Sequence, residues 1–448
     1  MLPGGNDSIA MKAKLSRFQP ITNPRQIFLH PSASSPTKPT QEQEENLHLN
    51  IPVDDAFSPS SPSAVAVASE ESLVTKILLK LPPKPLLRSQ CVSKQWLSLI
   101  SDPAFRRQHA RAIRTHPTSD LLFFSPDSER NEIDLISLSP EGVDSVGNVS
   151  SPITDGILKK GDEIHSLHSC NGLLCMQIKL KNNRLQLIVY NPTTCKHRVI
   201  PWFSGDYNMP IFRYANIAFD PSKSDHYKLV CFGLDRDSDC NNYRFLIYSS
   251  ETGAWRVTED AVGTLPVRYY YDRGVLWNGD FHWFGTNYCT LCFDVQKERL
   301  KPSTPQIPAS FGVRNKYDIW YFGEAGGDLS VMCVNKLEAM LFDVFALKRD
   351  YSQWILKHRV DFAPLTRYYP KMKGPGFHTP CLVVDEEGKK ARIVISVEDK
   401  FLSYDITDMV VKELVEVGPV YAEVAGWGDS TWYRWYEAFQ HVDTLASV

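Results

Sequence analysis

Gly274-Val275-Leu276-Trp277-Asn278-Gly279-Asp280-Phe281-His282-Trp283 places two short apolar runs around Asn278-Gly279, a pair that supplies the positive φ of a tight hairpin turn. The same device recurs at Asn171-Gly172 and Gly326-Gly327. A longer period surrounds it. Glycines at Gly172, Gly233, Gly279, Gly327 and Gly388 are each followed 14–18 residues later by an aromatic, at Tyr190, Tyr248, Phe293, Phe342 and Tyr404. Each aromatic precedes a short polar residue (Asn191, Ser249, Asp294, Asp343, Asp405) of the kind that reverses a chain by bonding its own backbone. Between these marks run strand-like stretches such as Leu185–Tyr190, Lys228–Phe232, Phe245–Tyr248 and Ala391–Ser396, and long amphipathic helices are absent. Hairpin units of about 45–60 residues are a signature of propeller blades. Five units, with weaker strands at Leu121–Ser125 and Ile133–Ser137, predict about six blades, and Tyr433–Phe439 is placed to close the ring beside the first blade. An irregular β-sandwich is the alternative.

The rest of the 448-residue chain differs in character. No glycine occurs between Gly5 and Gly142, and nine of the ten tryptophans follow Trp96. The net charge of −3 hides a division: residues 1–72 carry 5 basic and 8 acidic side chains, residues 73–114 carry 9 and 1, and residues 115–448 carry 35 and 43. Residues 1–68, rich in Pro, Ser, Gln and Glu, show no sustained apolar period and are expected to be a disordered tail. The basic, acid-free stretch 8–41 also fits an organelle transit peptide, but its prolines favour the tail. No apolar run is long enough to span a membrane, and the ten cysteines, mostly beside apolar neighbours, read as reduced thiols of a cytoplasmic or nuclear protein.

From Ser69 the pattern is helical. Leu73, Val74, Ile77, Leu78 and Leu81 share one face, Pro82-Pro83 stops that helix, and Leu86, Leu87, Cys91 and Val92 follow. Trp96, Leu97, Leu99 and Ile100 mark a third helix, and Asp102-Pro103 opens a fourth that runs to about Arg114. Four short helices in so few residues make a poor independent core, which predicts a partner surface; packing on the chain's own C-terminal domain is the alternative.

The stretch Leu73–Ile100 with Ser101-Asp102-Pro103-Ala104-Phe105 resembles the F-box of plant F-box proteins. The resemblance rests on Leu81-Pro82, Lys84-Pro85-Leu86-Leu87-Arg88, Cys91-Val92-Ser93-Lys94, Trp96 and the Leu99–Phe105 ending. Ser69-Glu70-Glu71-Ser72 stands where that family opens with Leu-Pro-Asp-Asp, and Lys76 replaces its usual Glu. The resemblance implies docking onto the Skp adaptor, and through it a cullin, of an SCF ubiquitin ligase. Leu73, Ile77, Leu78, Leu81, Pro82, Leu86, Leu87, Cys91, Val92 and Trp96 are the residues expected to form the anchor or hold it in shape, as in helix-in-groove recognition. The basic surplus then reads as electrostatic matching to an acidic adaptor.

The C-terminal part resembles the plant F-box-associated, kelch-like domain, at His168–Cys175, Tyr190–Thr194, Tyr248–Trp255 and Gly274–Trp283. The fold expected is therefore multidomain α+β: a tail (1–68), an all-α F-box module (69–114) and an all-β propeller (115–448). The implied role is a non-catalytic substrate receptor. A non-ligase propeller binding protein and a metal-dependent propeller enzyme are the alternatives, and a nucleic-acid binder is disfavoured by too few aromatics among the basic residues.

No nucleophile elbow, Walker loop or His-Glu-x-x-His motif appears, and no cofactor is expected. Cys289-Thr-Leu-Cys292 is half of a zinc spacing without a second pair, and His165 and His168 are a further candidate ligand pair. In a propeller, loops at one rim present the binding surface. The candidates are Ser204–Pro210, Asp235–Tyr243, Ser310–Trp320 and Arg367–His378, with Tyr207, Asn242, Tyr243, Arg314, Tyr317, Trp320, Arg367 and Tyr368 as target-contacting residues.

Overall fold

The computed structural model describes residues 71–113, 120–124, 133–138, 157–159, 161–203, 214–235, 242–262, 273–285, 287–308, 319–334, 340–373, 377–384, 390–397, 400–416 and 438–448. The expected N-terminal tail lies outside the described residues.

Four helices come first: α1 (Glu71–Leu78), α2 (Pro83–Ser89), α3 (Lys94–Ser101) and α4 (Pro103–Ile113). Their boundaries follow local chemistry. Pro83 opens α2, where a missing N–H costs nothing. The Ser93 hydroxyl accepts the N–H of Trp96 at 3.1 Å, and Asp102 Oδ1 accepts that of Phe105 at 2.9 Å, so both residues cap the helices they precede.

The strands then form six antiparallel sheets arranged as a six-bladed propeller. Blade 1 joins Asp120–Phe123 and Asp134–Ser137 to Ala438–His441 from the other end of the chain. Blades 2 to 6 are four-stranded and sequential, lying within residues 163–199, 214–262, 275–301, 319–361 and 377–416. The pairing of Leu121 with Gln440 and of Leu122 with Phe439 closes the ring, as the sequence pattern of Tyr433–Phe439 anticipates.

Six separate apolar clusters, one at each junction between neighbouring blades, exclude the sandwich alternative, which would have a single core. Strand alternation builds them. Along Leu185–Asn191, Leu187 and Val189 enter the junction of blades 2 and 3, while Ile188 and Tyr190 enter that of blades 1 and 2. Both faces of the sheet are buried, which explains why the strand reads as a continuous apolar run.

The hairpin turns are where the Asn-Gly and Gly-Gly pairs predict them. Asn171, Gly172, Asn278, Gly279, Gly326 and Gly327 all have positive φ. The polar residues after the aromatics also work as read at three places: Asn191, Asp294 and Asp405 each accept backbone N–H groups two and three residues on. Two repeat units are read out of step. Gly233 lies inside the strand Lys228–Asp235, paired with Arg244, because blade 3 makes its first turn through Asp220–Tyr227. In blade 5, Phe342-Asp343 begins the third strand instead of ending it, and the reversing carboxylate is Asp350, which accepts the N–H of Ser352 at 3.0 Å. Gly388 lies outside the described residues.

The tryptophans of the outer strands tie blades together. The Trp255 indole N–H donates to the Pro201 carbonyl at 2.7 Å, and Trp354 does the same to Pro305 at 2.9 Å, each reaching the preceding blade's exit segment.

The innermost strands of neighbouring blades meet around a central channel. Buried polar side chains brace it. His168 accepts the Ile217 N–H at Nδ1 (3.1 Å) and donates from Nε2 to the Gly274 carbonyl (2.7 Å), while Asn216 Oδ1 accepts the Gly274 N–H at 2.8 Å. Gln440 Nε2 donates to the Leu382 carbonyl at 3.2 Å and to the Tyr321 hydroxyl at 3.1 Å. Arg273 lies over the Phe439 ring, 4.0 Å from its centre.

The strand order gives the ring two distinct faces. Turns between first and second strands, and between third and fourth, leave one face, here called proximal. Turns between second and third strands, and the connections from blade to blade, leave the distal face.

Candidate adaptor-docking site and target face

The helices pack around Val74, Leu78, Leu86, Ile100 and Phe105, and Leu445, from the segment after the last strand, completes that core. Two sequence-expected anchors, Leu78 and Leu86, are fully buried there, so they shape the module from within rather than offer a surface. Leu81, Leu87 and Trp96 are half-buried against the same core. Leu73 is half-buried too, and Pro82 and Cys91 are exposed. The large apolar side chains left most open by the described residues of the helices and their connecting turns are Val92 (64 % exposed), Ile77 (46 %) and Leu97 (46 %). Leu97 is absent from the sequence-expected set. Its signal is weak because it sits beside Trp96 in a helix whose apolar residues look alike in sequence and differ only in which face they take.

The other side of the module rests on the proximal face of the propeller. Arg107 forms an ion pair with Asp225, and Arg111 Nε donates to the Ser222 carbonyl at 2.9 Å, both within the first turn of blade 3. Lys84 Nζ is 3.1 Å from Asp443, and Arg106 Nη1 donates to the Ser447 hydroxyl at 2.6 Å. Four of the nine basic side chains of residues 73–114 are thus engaged within the chain. Inside the module the His109 ring bonds the Leu81 carbonyl through Nε2 at 2.8 Å, and burial pushes its pKa down. A cavity of about 1460 Å³ opens between α4 and the proximal mouth of the channel, lined by Arg106, His109, Asp220, Asn278 and Asp443 among others.

Neither ligand pair flagged in the sequence forms a metal-ready set. His165 is exposed while His168 is fully buried and neutral, its pKa pushed down to about 4 chiefly by burial. Cys292 does approach two other donors, Asp280 and His282, with ligand atoms within 4.8 Å of one another. That carboxylate is already engaged by Lys301 Nζ and by the Tyr351 hydroxyl, each at 2.6 Å. Burial, with the nearby Asp280 charge, pushes the Cys292 thiol up to about 12. The cluster is a neutralised network joining blades 4 and 5, with the lysine ammonium as its cation. None of the nine described cysteines is in a disulfide.

Of the four sequence-chosen loops, Ser204–Pro210 lies wholly outside the described residues and the other three lie partly outside them; the described strands that flank all four have their adjoining ends at the distal face. Tyr207, Arg314 and Tyr317 lie outside the described residues, and Asn242 and Tyr243 open the strand Asn242–Ser249. Trp320 is half-buried at the junction of blades 5 and 6, its ring centre 4.6 Å from that of Phe377 and 5.1 Å from that of Phe342. Arg367 and Tyr368 are exposed, Tyr368 at 78 %. Arg367 ends the 3-10 turn Ala363–Arg367 and Tyr368 follows it, ahead of a second turn, Pro370–Lys373; buried Phe362, Leu365 and Met372 anchor the segment.

Comparison with known proteins agrees with this anatomy. The model of the F-box associated beta propeller domain matches residues 127–422. The chain belongs to the F-box-associated β-propeller family. The F-box domain model matches residues 70–108, over the four helices. The F-box protein At5g07610 of Arabidopsis thaliana is 26% identical over 411 residues, covering 87% of this chain and 94% of that protein. The F-box protein CPR1 of the same plant is 28% identical over 305 residues, 62% of this chain and 68% of that one. Among solved structures, the Swd1 β-propeller domain of Myceliophteria thermophila aligns with a TM-score of 0.31 at 10% identity, over 57% of this chain and 73% of that one. In this F-box protein no helix among the described residues is long and apolar enough to cross a membrane.

Proposed function

We propose that the chain is the substrate-recognition subunit of an SCF-type E3 ubiquitin ligase, holding the Skp adaptor through its helices and a target protein through the distal face of the propeller, with no catalysis of its own. One observation carries the reading: the helical module is fastened to the propeller on one side and keeps Ile77, Val92 and Leu97 open to solvent on its helices and connecting turn. Apolar side chains of this size gain about 1.5–3 kcal/mol each when fully buried, so three of them in a partner's groove offset a useful share of the cost of association.

The opposition of the two faces supports the division of labour. A target on the distal side leaves the helices unobstructed, and Arg367 and Tyr368 are residue types enriched at interface hot spots. Co-expression with a Skp adaptor followed by size-exclusion chromatography tests the reading. A co-eluting complex with the wild type and separate peaks with Val92→Asp/Leu97→Asp are expected. Separate peaks with a folded wild type would overturn it.

A further inference from the structure

Residues Val442–Val448 follow the last strand of blade 1 without lengthening it, and their middle is buried. Thr444, Leu445 and Ala446 are all buried. Leu445 enters the core of the four helices, whereas Ala446, its immediate neighbour, enters the apolar cluster between blades 2 and 3. Adjacent side chains thus belong to two different cores.

The backbone between those cores is held by side chains of blade 2. Asn191 Nδ2 donates to the carbonyls of Thr444 (3.1 Å) and Ala446 (2.8 Å), while the same residue's Oδ1 accepts from Thr193 in its own turn. The Thr193 hydroxyl donates to Asp443 at 2.9 Å and accepts the Thr444 N–H at 3.1 Å. From the helical side, Lys84 pairs with Asp443 and Arg106 with Ser447. Gly172 makes room: a Cβ there would stand 2.4 Å from the Val442 carbonyl oxygen.

We infer that Val442–Val448 is a strap that sets the position of the F-box helices on the propeller, with Leu445 as the residue that both completes the docking module and ties it down. Five of the six buried residues of the module's apolar core come from the four helices, and the sixth comes from this strap. Its residues act on adaptor docking at a distance, by fixing the module whose exposed side chains would meet the adaptor. The part of the inference that concerns adaptor affinity rests on the function proposed above; the part that concerns the position of the helices does not.

Hydrogen exchange of the full chain, read peptide by peptide, separates the two. In Leu445→Ser the amides of α1 to α4 are expected to exchange at least about tenfold faster, while those of blades 5 and 6 keep wild-type protection. Lys84→Glu, an exposed change that sets two carboxylates against each other, should give a smaller change in the same direction, and serves if Leu445→Ser does not fold. Adding Asp443→Lys to Lys84→Glu should restore part of the protection. Wild-type exchange in the helices of Leu445→Ser, or an equal rise across helices and all blades, would overturn the strap. Adaptor binding is titrated on the same samples. Failure of the wild type to bind would reject the ligase reading and leave the exchange result standing.

Discussion

The Nζ of Lys84, on α2, lies 3.1 Å from a carboxylate oxygen of Asp443, beyond the last strand of the propeller. Burial favours the protonated form of that carboxyl, but the neighbouring His441 ring, the Lys84 charge and the Thr193 hydroxyl together hold its pKa below the ordinary range. The pair joins the beginning of the described chain to its other end, and several expectations follow from how the two parts meet.

Exposed and buried leucines of the helices should separate by phenotype. Leu97→Asp changes a side chain that is 46 % exposed, so melting should move by no more than about 0.5 kcal/mol, while adaptor affinity falls about tenfold or more. Leu78→Ala empties a fully buried site and should cost about 2–5 kcal/mol of local stability. Thermal melts and calorimetric titrations run on both variants check this. Equal affinity losses with equal destabilisation would remove the distinction between contact and scaffold.

Gly172 and Gly279 have the same φ of +86°, and differ in surroundings. Around Gly279 nothing lies within 4 Å of a Cβ, whereas at Gly172 the Val442 carbonyl oxygen and the Thr444 side chain block it. Gly279→Ala should therefore cost about 1 kcal/mol from backbone strain alone, and Gly172→Ala distinctly more, since the strap must shift. Denaturant titration of the two variants gives the difference directly.

The distal face offers a second pair. Trp320→Ala removes a ring packed on Phe342 and Phe377 and should destabilise blades 5 and 6 by about 3 kcal/mol. Tyr368→Ala, at 78 % exposure, should leave stability within about 0.5 kcal/mol and leave adaptor binding unchanged. Its expected effect is on ubiquitylation of targets in cells expressing the variant.

Acid should loosen the propeller before it loosens surface pairs. His168 is held near pKa 4 and His282 near 3, both mainly by burial, against an ordinary imidazole value of about 6.5. Between those limits the unfolded chain binds protons that the folded chain refuses, so stability is full above about pH 6.5 and falls as pH drops toward 4. For His168 the loss is on the order of 2–3 kcal/mol. His168→Gln should flatten the slope of stability against pH in that window. An unchanged slope would show that His168 protonates without disturbing the channel.

What was legible in sequence was what depends on neighbours along the chain. Asn171-Gly172, Asn278-Gly279 and Gly326-Gly327 declare their turns because positive φ is a local demand. Asp102-Pro103 declares a helix start for a similar reason. Gly233 misled because a glycine in a strand looks like one in a turn, and Phe342-Asp343 because the aromatic–carboxylate pair occurs at both ends of strands. The packing of Trp320 had no local signal, because its partners, Phe342 and Phe377, come from other strands. The strap had no sequence signal at all. Thr444, Leu445 and Ala446 form no period, and their partners Asn191, Thr193 and Leu78 are distant in the chain.

The measurement closest to the central claim is calorimetric titration of the purified, folded chain with a Skp adaptor. A saturable exotherm or endotherm with one adaptor per chain, abolished or weakened at least about tenfold by Val92→Asp/Leu97→Asp at unchanged melting temperature, is the predicted result. A wild-type chain that melts cooperatively yet takes up no adaptor, or a double variant that binds as well as the wild type, would contradict the account.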